Sequence, residues 1–290
     1  MRALFLHDNF PAQFGALGRH MSGHGWDVYF GTQRKAASDD LMTVFHTAPH
    51  RKGARDIHPY VSAYERAVLN GQGVARACFA LKKRGWSPDV VMAHSGWGPG
   101  LFIKDVWPDA KYVGYFEWYY SATAPDILYL ADEPPDVDDQ LRTRMRNGAI
   151  LADLASCDVG ICPTQFQRDQ FPSCFHEKLT VMHDGIDTDY HAPNADAYFS
   201  VRDRTFDRND EIITYVARGM EPYRGFPEFM KAMETVLRER PNAHVIVVGE
   251  DRVAYGRKLP EGDSYKKRAL ATCDLDWSRV HFTGLLPRDD

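Results

Sequence analysis

Ile212-Ile213-Thr214-Tyr215-Val216-Ala217-Arg218-Gly219-Met220-Glu221-Pro222-Tyr223-Arg224-Gly225-Phe226 is the stretch whose reading decides the fold. Its first five residues are all β-branched or aromatic, the composition of a buried strand. A helical pattern begins near Pro227, so the residues between form a strand-to-helix loop. That loop carries two arginines and two glycines. Arginine is always charged and its fork of donors matches phosphate oxygens. Glycine lets the backbone come close. The helix that follows offers free N–H groups and the positive end of its dipole. The loop therefore reads as a holder for a phosphorylated ligand, against the plainer reading of two solvated surface arginines.

The same alternation of short apolar run and helix continues outward in both directions. Strands are expected at 3–7, 26–31, 90–93, 112–116, 159–162, 179–182, 212–216, 244–248 and 280–283. Helices are expected near 12–22, 60–83, 100–106, 138–155, 165–171, 227–240 and 264–271. Strand and helix in alternation give a parallel sheet with crossover helices, the α/β class. A polar, turn-rich stretch with Arg202-Asp203-Arg204 and Asp207-Arg208-Asn209-Asp210 follows the sixth strand. The expected division is a first domain over 1–195, a linker over 196–210 and a second domain over 211–290. The second domain has three strands where a doubly wound domain usually has five or six. It is expected to be incomplete, with on the order of 100 residues missing or supplied elsewhere.

Composition narrows the class. The chain has 290 residues, 44% hydrophobic and 26% charged, with a formal net charge of −5. Nothing global favours nucleic acid. No apolar run reaches the length of a membrane span, and the opening Met1–Leu6 run is too short for a signal peptide. The five cysteines form no C-x-x-C pair. They read as buried, reduced thiols of a cytoplasmic protein rather than a zinc or disulfide framework.

In an open α/β sheet, ligands bind beyond the carboxyl ends of the strands. The first such loop, His7-Asp8-Asn9-Phe10-Pro11-Ala12-Gln13, lacks the G-x-G-x-x-G fingerprint. That weakens a nicotinamide-dependent oxidoreductase. The third is His94-Ser95-Gly96-Trp97-Gly98-Pro99-Gly100, a histidine on a glycine-rich turn. Glu117-Trp118-Tyr119-Tyr120 is either an aromatic edge of the core or a platform for a sugar ring. In His183-Asp184-Gly185-Ile186-Asp187, Gly185 suits a tight turn and the aspartates suit capping or binding.

These places together resemble the family-4 glycosyltransferases over essentially the whole chain. The stretch from His183 to Pro193 is similar to that family's N-G-V-D-x-x-x-F-x-P segment. The stretch from Val216 to Phe226 is similar to its G-R-L…K-G-F donor-phosphate loop. Gly249-Glu250 and Gly284 fall at its next strand ends, and His94 falls where it has an H-x-x-x-G histidine. The resemblance implies two Rossmann-like doubly wound domains facing a cleft, and transfer of a sugar from a nucleotide-sugar to a saccharide or lipid-linked acceptor with retention. Arg218 and Arg224, with Gly225 and Glu250, would hold the donor. His94 would sit near the reacting centre. Asn9, Gln13, Glu117 and Asp184 would face the acceptor. No metal or other cofactor is implied, because the arginines replace it as the charge clamp.

The chain departs from the family pattern in three ways. Its first loop lacks paired glycines. Its two loop cations lie one residue further apart, and the second is arginine. No glutamate has another eight positions on, so the E-x7-E pair is absent. A competing expectation is therefore a non-catalytic binding or assembly subunit, completed by a partner chain. A sugar-nucleotide epimerase on the same architecture would need acidic and basic groups for proton transfer, and the sequence displays no convincing set. The basic residues Arg252, Arg257, Lys258, Lys266, Lys267 and Arg268 read as a solvated face, with peripheral contact to an anionic membrane as the second reading. Arg142, Arg144 and Arg146 read as a solvated helix face.

Overall fold

The computed structural model describes residues 1–129, 134–256 and 259–287. Arg257 and Lys258 of the basic cluster, and residues 288–290, lie outside the described residues. The chain divides into two compact units, Met1–Ile186 and Asp187–Asp290.

The first unit runs β1 (Arg2–Leu6), α1 (Gly15–Gly23), β2 (Asp27–Thr32), β3 (Thr43–His46), α2 (Ser62–Lys83), β4 (Val90–His94), α3 (Ile103–Val106) and β5 (Lys111–Tyr115). It continues with α4 (Pro125–Leu128), α5 (Val137–Met145), α6 (Gly148–Ser156), β6 (Val159–Cys162), α7 (Gln165–Asp169) and β7 (Leu179–Val181). The seven strands form one parallel sheet in the order β3-β2-β1-β4-β5-β6-β7. The order reverses between β1 and β4, which is where such sheets open a crevice for ligands. Alternation along β1 sends Leu4 and Leu6 into one core, with Val91, Ala93 and Tyr112. It sends Ala3 and Phe5 into the other, with Val28, Phe30 and Tyr115. Both faces are thus covered, as a parallel sheet requires.

The long helix α2 buries Ala67, Gly71, Val74, Cys78 and Leu81, a stripe spaced by threes and fours. Its small residues let the turn after β4 lie directly on it. A side chain at Gly98 would meet the Ala67 carbonyl at 1.9 Å, and Gly98 also has φ +101°. One at Gly71 would meet the Gly98 carbonyl at 2.7 Å.

The second unit opens with an antiparallel hairpin, β8 (Phe199–Val201) and β9 (Arg204–Phe206). There follow β10 (Ile212–Gly219), α8 (Phe226–Glu239), β11 (His244–Glu250), α9 (Tyr265–Thr272) and β12 (Val280–Gly284). The three longer strands pair in parallel in the order β10-β11-β12. Phe226, Met230, Met233 and Leu237 form the buried stripe of α8 and pack with Tyr215, Val245 and Val247.

Several elements differ from the expectation, among them the unforeseen four-residue helix α4. Strand β3 was not foreseen; it is a four-residue edge strand, half-buried and flanked by polar residues. The 138–155 helix is two helices, broken where the buried Asn147 side chain exchanges two 2.8 Å hydrogen bonds with the Tyr120 backbone. The stretch read as linker holds the β8–β9 hairpin, anchored by Phe206, which is fully buried against the rings of His244 and His281. All five cysteines are free, but only Cys78, Cys157 and Cys162 are buried, and Cys174 is exposed.

Gly98→Ala forces a β-carbon against α2 in a backbone conformation that disfavours one. Destabilisation of about 2–4 kcal/mol is expected in urea unfolding. An unchanged midpoint would show that the turn does not rest on α2 as described.

Candidate functional site

The crevice at the β1/β4 reversal in the first unit holds a connected set of polar side chains. β1 delivers His7 and Asp8, β4 ends on His94, and β5 leads into Glu117. His94 Nε2 lies 3.0 Å from the Glu117 carboxylate, and Nδ1 lies 2.9 Å from the Ser95 carbonyl. Both ring nitrogens thus face oxygen atoms. Hydrogen bonding from His94 holds the Glu117 carboxyl below its usual range. Gln13 Nε2 donates to the same carboxylate at 2.8 Å.

His7 packs edge-on to the His94 ring, 4.8 Å between centroids. Its Nδ1 accepts the Asn9 N–H at 2.8 Å, so Nε2 carries the hydrogen of the neutral ring. Burial, reinforced by His94, lowers the His7 pKa to about 4. Beside it, Asp8 accepts from Asn70 Nδ2 at 3.1 Å, and burial raises its carboxyl to about 6.

Beneath the glycine-rich turn sits Asp153, which is wholly buried. It accepts from Ser95 Oγ at 2.8 Å and Tyr112 Oη at 2.9 Å, and burial pushes its pKa up to about 6. Its hydrogen bonds fix the turn that presents His94 and Trp97. A pocket of about 300 Å³ opens above, with Asp8, Asn70, His94 and Glu117 at its polar end. Trp97, Trp118 and Tyr120 line it too, as do Arg66 and Arg146.

Of the residues expected on this side, Gln13, His94 and Glu117 are joined by hydrogen bonds. Asn9 is bonded to Arg34, whose Nη2 donates to it at 2.8 Å. Asp184 accepts from the buried Tyr115 hydroxyl at 2.7 Å, next to the left-handed turn at Gly185 (φ +82°). In the aromatic segment after β5, Tyr119 and Tyr120 both pack against the core. Tyr119 does so on Phe171, and Trp118 and Tyr120 line the pocket. Arg146 is exposed, as expected of a solvated face, and it also reaches the pocket. It follows the end of α5, lies 3.7 Å from the centre of the Tyr120 ring and lines the pocket.

In the second unit, β10 ends in Arg218 and Gly219, and a short 3-10 turn, Pro222–Arg224, leads to Gly225 and α8. Gly225 takes φ +68°, which only glycine adopts without strain, and so starts the helix. Arg218 and Arg224 are exposed, and neither has a carboxylate partner among the described residues. Arg224 stacks 4.9 Å from the centre of the Tyr255 ring. Glu250 pairs with Arg252 at 2.5 Å. Within the basic cluster, Arg268 pairs with Asp263 at 2.7 Å and Lys266 lies over the Phe282 ring.

Sequence reasoning passed over Glu221, the residue that ties this loop down. It is fully buried. Its Oε2 accepts the backbone N–H groups of Ala254 and Tyr255, the latter at 2.9 Å, and its Oε1 has no hydrogen-bond partner among the described residues. Gly219 must be small because a side chain there would meet the Arg252 carbonyl at 2.6 Å. The arginine loop and the loop after β11 are thus clamped together. His7, Asp8, Asn70 and Arg66 were also passed over as site residues. A strand-end His-Asp pair was the available signal for the first two. Asn70 and Arg66 lie on α2 and reach the site only through the fold.

Two α/β units, the first with a crevice at its strand-order reversal and the second with an arginine-bearing strand-to-helix loop, define a Rossmann-like architecture. The chain belongs to the glycosyl transferase family 4 group, whose model matches residues 24–191. Among solved structures, it is similar to Anabaena HepE in complex with UDP, at 14% identity and a TM-score of 0.55, covering all of this chain and 70% of that one. HepE with UDP-glucose gives 14% and 0.54, covering 99% and 70%. Sucrose-phosphate synthase from Thermosynechococcus elongatus gives 12% and 0.59, covering 100% and 71%. At these identities the likeness is one of fold. No curated protein matches the sequence. No helix among the described residues is long and apolar enough to cross a membrane.

The buried charges give the crevice a distinct pH response. Asp8 shifts from about 4 in the unfolded chain to about 6 folded, so its ionisation costs stability progressively across that window and fully above it. His7, at about 4 folded and 6.5 unfolded, acts oppositely: burying it neutral costs nothing above 6.5 and costs more as pH falls toward 4. Asp8→Asn should therefore gain stability relative to the parent as pH rises from 4 to 7 in urea unfolding. A difference that stays constant with pH would contradict the assignment.

Proposed function

We propose that this chain transfers a sugar from a nucleotide-sugar donor to a saccharide or lipid-linked acceptor, with retention of anomeric configuration. The observation that carries the reading is the loop at Arg218–Gly225. Two guanidinium groups without carboxylate partners among the described residues lie on the segment leading to a helix N-terminus capped by Gly225. That is a site for a diphosphate. UDP and UDP-glucose in the HepE structures make a uridine nucleotide the first donor to test.

In this reading Arg218 and Arg224 neutralise the charge that grows on the diphosphate as the sugar departs, which is where catalytic stabilisation acts. Gly225 leaves room for phosphate oxygens, and Glu250 with Arg252 borders the donor. The chemistry needs no metal, because the arginines supply the positive charge. His94, held by Glu117, bears on the transferred sugar. Asn9, Gln13, Glu117 and Asp184 belong to the acceptor side. Holding the reactants in register supplies much of the rate.

A second reading is a non-catalytic binding or assembly subunit completed by a partner chain. In it the chain binds donor and acceptor while a partner chain contributes the carboxylates. Release of UDP from UDP-glucose by the purified chain alone would decide against that reading.

Isothermal titration with UDP tests the donor site. Binding is expected, with Arg218→Ala and Arg224→Ala each weakening it by about tenfold or more, the loss of a charge-assisted contact. Unchanged affinity in both variants would sink the assignment of this loop.

A further inference from the structure

The first-unit pocket is lined by two arginines as well as two carboxylates. Its two carboxylates are already engaged: Asp8 with Asn70, and Glu117 with His94 and Gln13. Arg66 and Arg146 line the same pocket, and neither has an ion-pair partner among the described residues. The carboxylates nearest them in sequence are committed elsewhere. Glu65 pairs with Arg51 at 3.3 Å and accepts the Ala54 N–H. Asp139 pairs with Arg142 at 3.0 Å, and Asp138 takes the Tyr60 hydroxyl.

Arg146 is also held in place. Its guanidinium carbon lies 3.7 Å from the centre of the Tyr120 ring. Tyr120 is itself fixed through its backbone by Asn147. A guanidinium stacked on a ring keeps its edge N–H groups free to bind an anion, with less freedom to lose when it does so. Trp97, half-exposed at 53%, and Trp118 line the same pocket. Indole faces of this kind take the apolar faces of sugar rings.

We propose that this pocket takes an anionic saccharide. Its sugar ring lies on Trp97 or Trp118, and its carboxylate or phosphate is bound by Arg66 and Arg146. The inference rests on the glycosyltransferase reading for the word acceptor, and it narrows the acceptor from any saccharide to one bearing a negative charge. Uronic acids and sugar phosphates share this chemistry.

The test is an NMR titration of the whole protein with three probes: methyl β-glucoside, methyl β-glucuronide and glucose 6-phosphate. At least one anionic sugar is expected to bind about tenfold or more tightly than the neutral one, since its contact is a charged hydrogen bond. Which anion wins separates a carboxylate from a phosphate. In the double variant R66Q/R146Q that preference should vanish while methyl β-glucoside binds as before. Both arginines are exposed, so the variant is expected to fold, and an unchanged amide spectrum elsewhere in the protein would verify it. Equal binding of the three sugars overturns the proposal, as does no binding of either anionic sugar at about 50 mM, or a preference that survives the double variant. UDP is titrated into the same samples. Loss of UDP binding alone speaks against the donor loop and leaves this pocket standing, whereas loss of the anion preference alone does the reverse.

Discussion

Asp153 is the constraint on which the first unit's site depends. A wholly buried carboxylate is costly unless it is hydrogen-bonded. Here the bonds come from Ser95 on the turn after β4 and Tyr112 on β5, while Asp153 itself sits on α6. Three elements are thereby held to one point. The turn that presents His94 and Trp97 hangs from it, and Gly98 lets that turn lie flat on α2. Losing one donor would strand the buried acid, so the network is worth more than its separate bonds.

The second unit solves a similar problem with another acid. Glu221 clamps the loop after β11 to the arginine loop through two backbone N–H groups. In both units a buried carboxylate organises backbone, and cations without carboxylate partners are left at the surface it shapes. Arg218 and Arg224 stand above one such clamp. Arg66 and Arg146 border the pocket set by the other. Most other arginines of the described residues with an acid nearby are paired with it, among them Arg19, Arg240 and Arg279.

Much of the fold was legible because strand and helix alternate with clear apolar runs. All nine expected strands are present, at nearly the expected residues. Strands β3, β8 and β9 were not legible, because three or four half-exposed residues carry too little periodicity to register. In the site, His94, Glu117 and the arginine loop could be read from their places after strands. Arg146 and Asn70 could not, since both lie on or beside helices and only packing turns them toward the pocket. Glu221 was hidden for another reason: a glutamate beside a proline in a charged loop looks solvated, and its burial depends on a loop more than thirty residues away.

A crystal structure of the protein with UDP tests the central claim most directly. The account predicts the diphosphate within hydrogen-bonding distance, about 3 Å, of the Arg218 and Arg224 guanidinium groups, with the α8 N-terminus beside it. A nucleotide bound away from both arginines would contradict it.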